Sequence, residues 1–288
     1  MAHVTAAGSA EIDLEYLRSW IGREEVARDV ISRVLVRRFR ATFDSHAGCP
    51  RGDRVPHLLH FCLAQPAMDT NVLAADGHPK RGEFLPPVPL PRRMWAGSTL
   101  RFEGTLSVGD RVRRRSRIVD VVLKYGRTGP LCFVTVEHAI DVNGRVVLNE
   151  TQDIVYRNLA GQPPQTPTAA TAEIGSKQRR VEPSSVLLFR YSALTFNSHR
   201  IHYDRRYACE IEGYPGLVVH GPLQATLLIN LATELGGAQP TEFSFRSVSA
   251  LFDNVPFVLH AREADGALRL WTARENGPVA MSAEARWT

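Results

Sequence analysis

A polar interruption, NSHRIH at 197–202, breaks an apolar run, and seventeen residues beyond it stands HGPLQAT at 220–226. The first stretch sets Asn197 and His202 five positions apart. A histidine, with an unperturbed pKa of about 6.5, suits taking a proton near neutral pH. Asn197 does not titrate; it accepts through its carbonyl or donates through its NH2. In the second stretch Gly221 allows close backbone approach, and Pro222 suits the first turn of a helix, where its missing N–H is no loss. Such a helix start turns free N–H groups and the positive end of its dipole outward, so the amide of Gly221, with that of Leu223, could hold a developing oxyanion. Thr226 would line the same place one turn later. A base, a polar side chain beside it and an oxyanion site are what proton transfer next to a carbonyl requires. Taken alone, the Asn and His are equally two polar residues of a surface turn.

Elements must bring these residues together. The run 221–235, GPLQATLLINLATEL, is apolar on most faces, as a helix wrapped by a sheet would be. Strands are expected on both sides of it: SSVLLFRYSALTF before the polar interruption, then EFSFRSVSALF, PFVLHARE, ALRLWTARE and VAMSAEARWT. Residues 99–157 form a second strand-rich region, with Asn143-Gly144 as a hairpin turn. Before it, EIDLEYL begins a short amphipathic helix, and RVLVRRFRATFD fits helix or strand. The stretch from about 44 to 98 is rich in Pro, Gly and His, with one short element around HLLHFCLAQ. Its run EFLPPVPLPRRMWAGS is excluded from regular helix and central strand by its prolines.

The two strand regions end alike. Phe102 precedes Asp110 by eight residues and Phe245 precedes Asp253 by eight, and Asn143-Gly144 is matched by Asn276-Gly277. Two coincidences in one order predict a duplicated unit, each copy a helix followed by antiparallel strands, an α+β arrangement. Between the copies, residues 158–180 are Pro-, Thr-, Ala- and Gln-rich and read as a linker.

The segment LTFNSHRIHYDRRYA followed by YPGLVVHGPLQATLL resembles the active-site segment of the MaoC-like hydratases and dehydratases. That family's pattern is G-D-x-N-P-x-H, then a Gly-rich turn opening the central helix. Asn197 stands in the place of the Asp, His202 in that of the His and Gly221 at the helix opening, while Thr226 falls where many members have Ser. First-half stretches, GEFLPPVPLPRRMWAGSTLRFEGTLSVGD and GRTGPLCFVTVEH, are similar to the N-terminal half of two-unit members. The resemblance implies a double hotdog fold: a non-catalytic unit at 1–157 completing the substrate pocket, the linker at 158–180, and the catalytic unit at 181–288. It implies a hydro-lyase adding water reversibly to a 2-enoyl-CoA, with coenzyme A arriving on the substrate and no metal or redox cofactor. An Asn at the Asp position is similar to the mitochondrial type-2 hydroxyacyl-thioester dehydratases and to bacterial hydratases of mesaconyl-C4-CoA or itaconyl-CoA. The proline-rich loop favours the latter, whose product is citramalyl-CoA in itaconate degradation. Alternatives are a 3-hydroxyacyl-thioester dehydratase for unbranched chains, and an acyl-CoA thioesterase, in which water attacks the carbonyl.

With an amide in place of the carboxylate, His202 is expected to carry the proton transfer alone. His220 would orient the loop or contact ligand, His199 would lie at the surface or behind the site, Tyr203 would pack, and Asp204 would cap a helix through RRYACE. Arg92 and Arg93, on a loop stiffened by prolines, are candidates for the carboxylate of a C5 dicarboxylyl thioester or for coenzyme A. The HLLH at 57–60 has poor zinc-ligand spacing, and RVRRRSR at 111–117 alternates on a strand as a solvated face would, with coenzyme A phosphates as its other possible partner.

Composition sets the outer limits. Of the 288 residues 44% are hydrophobic and 23% charged, enough for packed cores and not a disordered chain. The net charge of +5 favours a small anionic ligand and is too mild for a nucleic-acid signature. No run approaches the length of a membrane span and the N-terminus lacks a signal-peptide pattern, so a cytoplasmic protein without membrane or nucleic-acid partners is expected, as monomer or homodimer. Cys49, Cys62, Cys132 and Cys209 are scattered, consistent with reduced structural thiols.

Overall fold

A computed structural model describes residues 12–43, 54–126, 129–158 and 170–287; Cys49 and residues 159–169 of the expected linker lie outside them. The strands are β1 (Glu24–Val30), β2 (Arg92–Phe102), β3 (Arg111–Gly126), β4 (Gly129–Val142), β5 (Arg145–Arg157), β6 (Lys177–Val181), β7 (Glu242–Ser247), β8 (Phe257–Ala264), β9 (Ala267–Arg274) and β10 (Val279–Arg286). They form one antiparallel sheet in the order β1-β3-β4-β5-β2-β7-β10-β9-β8-β6. Outward from the central β2–β7 pair the arms run β2, β5, β4, β3, β1 and β7, β10, β9, β8, β6, which is one connection order used twice. Both predicted hairpins sit at matching places, β4–β5 and β9–β10, with Asn143 and Asn276 at φ 52° and 55°. The duplication is therefore physical, and the chain is a double hotdog.

Among the described residues four α-helices accompany the sheet: α1 (Leu14–Arg18), α2 (Arg33–Thr42), α3 (Ser185–Leu194) and α4 (Gly221–Gly236). In the second unit α4 lies against β7, β8, β9 and β10, with every side chain from Leu223 to Ala232 buried. That explains why its sequence shows no polar face. The first unit departs from the expectation of a second central helix. Between α2 and β2 its described residues hold only short 3-10 turns, Leu59–Cys62 and Thr70–Val72. Pro86, Pro87, Pro89 and Pro91 exclude a long helix there. By chain order α2 corresponds to α3, and the two pack together, Phe43 meeting Tyr191 edge-on at 5.9 Å.

Three sequence-based boundaries are corrected. SSVLLFRYSALTF is not a strand: Ser184 Oγ accepts the Leu187 N–H (3.2 Å) and starts α3, whose buried Leu188, Tyr191 and Ser192 follow helical spacing. The prolines of 86–91 end one residue short of β2, so Arg92 to Ser98 do lie in a central strand, paired to β5 and then to β7. Residues 177–180, assigned to the linker, belong to β6, which pairs with β8 and so to the second unit.

Candidate active site

The C-terminus of α3 delivers the first polar residue. Thr195 ends the helix, Phe196 takes a left-handed conformation (φ 49°), and the Asn197 N–H returns to Ser192 O at 2.9 Å. This is a Schellman-type end with phenylalanine in the position glycine usually holds. Asn197 then turns the chain again, its Oδ1 accepting the His199 N–H at 2.9 Å. A short 3-10 turn, Arg200–His202, brings His202 inward to 8% exposure. There its Nδ1 donates to Val218 O at 2.7 Å, which leaves Nε2 as the unprotonated nitrogen of a neutral ring. Burial pushes the His202 pKa down to about 4, so the base form dominates at neutral pH.

Val218 belongs to the extended stretch entering α4, tied to Ile201 O and, through its β-bridge, to Phe252. His220 caps that helix and stacks on His202, with ring centroids 3.7 Å apart and planes 18° from parallel. Its Nε2 pairs with Ser192 Oγ at 2.8 Å and Tyr191 packs on it edge-on. His220 is thus a buried platform under His202, and burial holds it neutral. At Gly221 a Cβ would sit 3.3 Å from Ser247 Oγ, so glycine lets the helix start press against β7. The amides of Gly221 and Leu223 fall in the first turn, which has no intrahelical acceptors. Thr226 is fully buried and its hydroxyl donates back to Pro222 O at 2.8 Å.

The first unit reaches this site through a turn the sequence reading passed over. Residues 73–79 close on themselves by a Leu73–Pro79 bridge and lie against 198–200. Arg200 N donates to Asp76 O (2.9 Å), Arg200 Nη1 to Ala75 O (3.1 Å), and Ser198 Oγ to Gly77 O. Gly77 has φ +89°, and a Cβ there would collide with the Ser198 carbonyl. His78 packs against His199, centroids 4.1 Å apart, and His199 meets His202 edge-on at 5.4 Å. Asp76 accepts both the His78 N–H and its Nδ1, each at 3.0 Å, and those contacts hold the carboxyl below its usual range. Asp76, His78 and His199 bring one donor atom each within 4.8 Å of one another. His199 is therefore part of a histidine array and not a surface residue. The only cue in sequence was an Asp-Gly turn followed by His inside the proline-rich stretch.

The two arginines separate. Arg92 is engaged elsewhere: Nε meets Glu212 Oε2 at 2.9 Å, Nη2 donates to Glu212 O at 2.6 Å, and the guanidinium covers the Tyr214 ring. The charge of Arg93 bears on His78 and His199 and helps keep them neutral. Its charge bears likewise on the buried Tyr156. Asp204 caps as expected, Oδ1 accepting the Tyr207 N–H at 3.0 Å, but the segment beyond is a π turn, Tyr207–Ile211. Tyr203, expected to pack, is 44% exposed and donates to Ser198 O. His57 and His60 serve different partners, Gln239 and Glu150. In the basic run Arg113, Arg114 and Arg117 pair with Asp141, Glu25 and Glu24 on the first unit's sheet. Cys62 and Cys132 are buried free thiols whose pKa values burial raises to about 12 and about 11; Cys209 is also free.

Known proteins match this architecture. A family model described as hydroxyacyl-thioester dehydratase type 2 covers residues 56–253. A mesaconyl-C(4)-CoA hydratase of Chloroflexus aurantiacus is 45% identical over 267 residues, 92% of this chain and 95% of the relative. A mitochondrial hydroxyacyl-thioester dehydratase type 2 of Schizosaccharomyces pombe is 26% identical, covering 86% and 92%. Among crystal structures, HtdX of Mycobacterium tuberculosis superposes with a TM-score of 0.67 at 18% identity, covering 92% of this chain and all of that one. Another Mycobacterium tuberculosis protein, described as a double hotdog, gives 0.56 at 13% identity, covering 92% and 95%. With a duplicated sheet and two thirds of its length matched by the family model, the chain belongs to the hydroxyacyl-thioester dehydratase type 2 family of hydro-lyases.

Proposed function

We propose that the protein is a cytoplasmic hydratase that adds water reversibly to a 2-enoyl-CoA, with mesaconyl-C4-CoA as substrate and citramalyl-CoA as product; itaconyl-CoA, whose double bond lies one carbon further from the thioester, becomes a substrate only once that bond is shifted into conjugation. The observation that carries the chemistry is the 2.7 Å bond from His202 Nδ1 to Val218 O, which leaves a neutral Nε2 beside the opening of α4. His202 Nε2 takes a proton from water while the water oxygen bonds to the β-carbon. The displaced electron pair moves onto the thioester oxygen, held by the Gly221 and Leu223 amides. Collapse of that enolate takes the proton at the α-carbon. Asn197 does not titrate and positions, so His202 carries the transfer. Coenzyme A comes with the substrate, and neither metal nor redox cofactor enters the reaction.

The substrate class is supported by the 45% identity to the Chloroflexus hydratase, well above the 26% to a type-2 dehydratase. A mesaconyl thioester bears a free carboxylate on its β-carbon, and Arg93, whose charge bears on His78 and His199 as well as on Tyr156, is the cation we assign to it; Arg92 is held by Glu212. Both units contribute to one site within one chain, which a monomer or a homodimer accommodates.

The test is the loss of enoyl-thioester absorbance with mesaconyl-C4-CoA and crotonyl-CoA side by side, with free thiol followed in parallel. Preference for mesaconyl-C4-CoA without thiol release is expected. His202→Ala should cut turnover by about 10³-fold, within the range for a lost general base. Preference for crotonyl-CoA would transfer the protein to fatty-acyl metabolism, and thiol release would make it a thioesterase.

A further inference from the structure

Asp76, His78 and His199 have no part in the hydration chemistry, yet two units are folded so as to bring them together. One donor atom of each lies within 4.8 Å of the others, and among the described residues no other group of three His, Cys, Asp or Glu side chains meets so closely. Gly77 separates the two first-unit donors, and its φ of +89° folds the turn so that Asp76 Oδ2 sits 3.0 Å from His78 Nδ1. Backbone bonds from Ala74 N–H to His78 O (2.8 Å) and from Gly77 N–H to Ala74 O (2.9 Å) close that turn. The Arg200 N–H to Asp76 O bond (2.9 Å) fixes it against 198–200, which carries the third donor.

Two imidazoles and a carboxylate are a ligand set that zinc or cobalt(II) takes, with water in a fourth place; magnesium and calcium prefer oxygen throughout. Bonds of about 2.0–2.2 Å in a tetrahedron set ligand atoms about 3.3–3.5 Å apart. The Asp76–His78 pair at 3.0 Å stands near that spacing, and a pair at the 4.8 Å limit closes by about 1.5 Å through ring rotation. Asp76 Oδ1 accepts the His78 N–H at 3.0 Å, which orients the carboxylate from behind as the outer partners of metal ligands do. Burial keeps both rings in the neutral form that ligates. The side chains of His78 and Asp76 are 21% and 20% exposed, so an ion has a way in. The opposing influence is Arg93, whose charge bears on both rings; it weakens the site, and its removal is therefore diagnostic.

We propose that Asp76, His78 and His199 form a site for one divalent cation of the zinc type, which binds across the two units and inhibits the enzyme. The ion takes no part in hydration itself. His199 is the link to the base: Asn197 Oδ1 holds its N–H, and its ring meets His202 edge-on with centroids 5.4 Å apart. A metal bonded to that ring lies about 3 Å from its centre, hence within about 9 Å of the centre of His202. Two positive charges at that range oppose the imidazolium that forms when Nε2 takes its proton. Because the ion also ties the 73–79 turn to 198–200, it stabilises the fold as it slows turnover. The inhibition rests on the hydratase function proposed above; the binding does not.

The experiment takes the full chain, stripped of metal with a chelator, and titrates it with Co2+ by its visible d–d absorption, then with Zn2+ in competition. One equivalent of four-coordinate Co2+ is expected, displaced by Zn2+ and not by Mg2+. Zn2+ should raise Tm by about 5 °C. It should also slow hydration of whichever thioester is turned over by about tenfold or more. His78→Ala in one unit and His199→Ala in the other should each weaken Co2+ binding by about a hundredfold. Asp76→Asn keeps an acceptor for the His78 N–H and should weaken binding by about tenfold or more, which keeps the test if the alanine variants do not fold. Arg93→Gln should tighten it by about tenfold, a change that adventitious binding elsewhere on the chain would not show. Cys209→Ser should leave it unaltered. Absence of bound Co2+, binding that survives both histidine substitutions, or binding lost with Cys209 would overturn the site. One equivalent of Zn2+ bound with turnover unchanged would overturn the inhibition. Metal binding with hydration of neither thioester would refute the function proposed above, and the inhibition with it, while the site stands.

Discussion

The two units share a connection order but fill their concave faces in opposite ways. In the second, α4 occupies the hollow with ten consecutive buried residues, and the Gln224–Thr272 bond (2.7 Å) is a polar contact within it. In the first, the strands themselves carry polar side chains inward. Glu150 is buried, accepting from Ser98 Oγ at 2.6 Å and facing His60 Nε2 at 3.2 Å; His138 bridges Ser116 and Gln152. The segment that would have been the first unit's central helix is instead the proline-rich stretch whose turn docks on the other unit's 197–202 loop. Under the proposed function one copy supplies the base and oxyanion site, and the other, freed from holding its own helix, lines the pocket. Duplication gave two similar sheets, and the division of labour lies in what replaced one helix.

The comparison breaks most severely at Gly77. Alanine there would strain a left-handed backbone and press its methyl into the Ser198 carbonyl, so the turn must lift off the catalytic loop. Displacement of about 1 Å at Asn197 predicts a loss of kcat/KM of about 10²-fold, although Gly77 belongs to the first unit. Kinetics equal to wild type would show that the first unit does not position the catalytic loop.

Acid pH should strain both units at once. His57 in the first and His202 in the second are buried and neutral, with pKa values lowered to about 3 and about 4. Their unfolded-state values are near 6.5, so below that pH the unfolded chain binds protons the native one refuses. Stability is whole above pH 6.5 and falls as pH drops toward 4, by about 1.4 kcal/mol per pH unit for each ring, or about 4 kcal/mol by pH 5 for the two. Chemical unfolding between pH 8 and 5 measures it. In contrast, kcat/KM over short times should hold down to about pH 5, because the free-enzyme base loses its lone pair only near 4. An acid limb at 6.5 would mean that His202 is solvated or is not the base.

Legibility differed between the units for the same physical reason. The hairpin asparagines, the Phe–Asp spacing and the apolar run of α4 are local signals, and each was readable from residues 99–157 and 221–288. Asn197, His202 and Gly221 could be singled out as candidates because they follow one another in chain order along a single unit, in a segment that resembles a family motif. Asp76, His78 and the separate fates of Arg92 and Arg93 depend on a contact between positions more than a hundred residues apart, which no periodicity encodes. α3 was misread because Leu187, Leu188, Tyr191 and Leu194 satisfy helical spacing while the whole run is apolar enough to pass for a strand; only the Ser184 cap distinguishes them. The prolines marked a true exclusion of helix but ended one residue before β2, so the boundary and not the principle failed.

Phe196 offers the finest test of how much strain the catalytic unit tolerates to place Asn197. It sits in the left-handed region at φ 49°, with 64% of its surface exposed, so its ring returns little burial for the conformation it is made to adopt. A non-glycine residue there costs about 1 kcal/mol relative to glycine. Phe196→Gly should therefore raise stability by up to about 1 kcal/mol, or about 2 °C in Tm for a chain of this size. The Asn197 N–H to Ser192 O bond and the His199 N–H to Asn197 Oδ1 bond do not involve the Phe196 side chain, so hydration should keep its rate. A gain in Tm accompanied by a fall in kcat would show that the strained phenylalanine itself holds the loop rigid, and that the second unit gives up stability for the geometry which the first unit, through its docked turn, provides by contact alone.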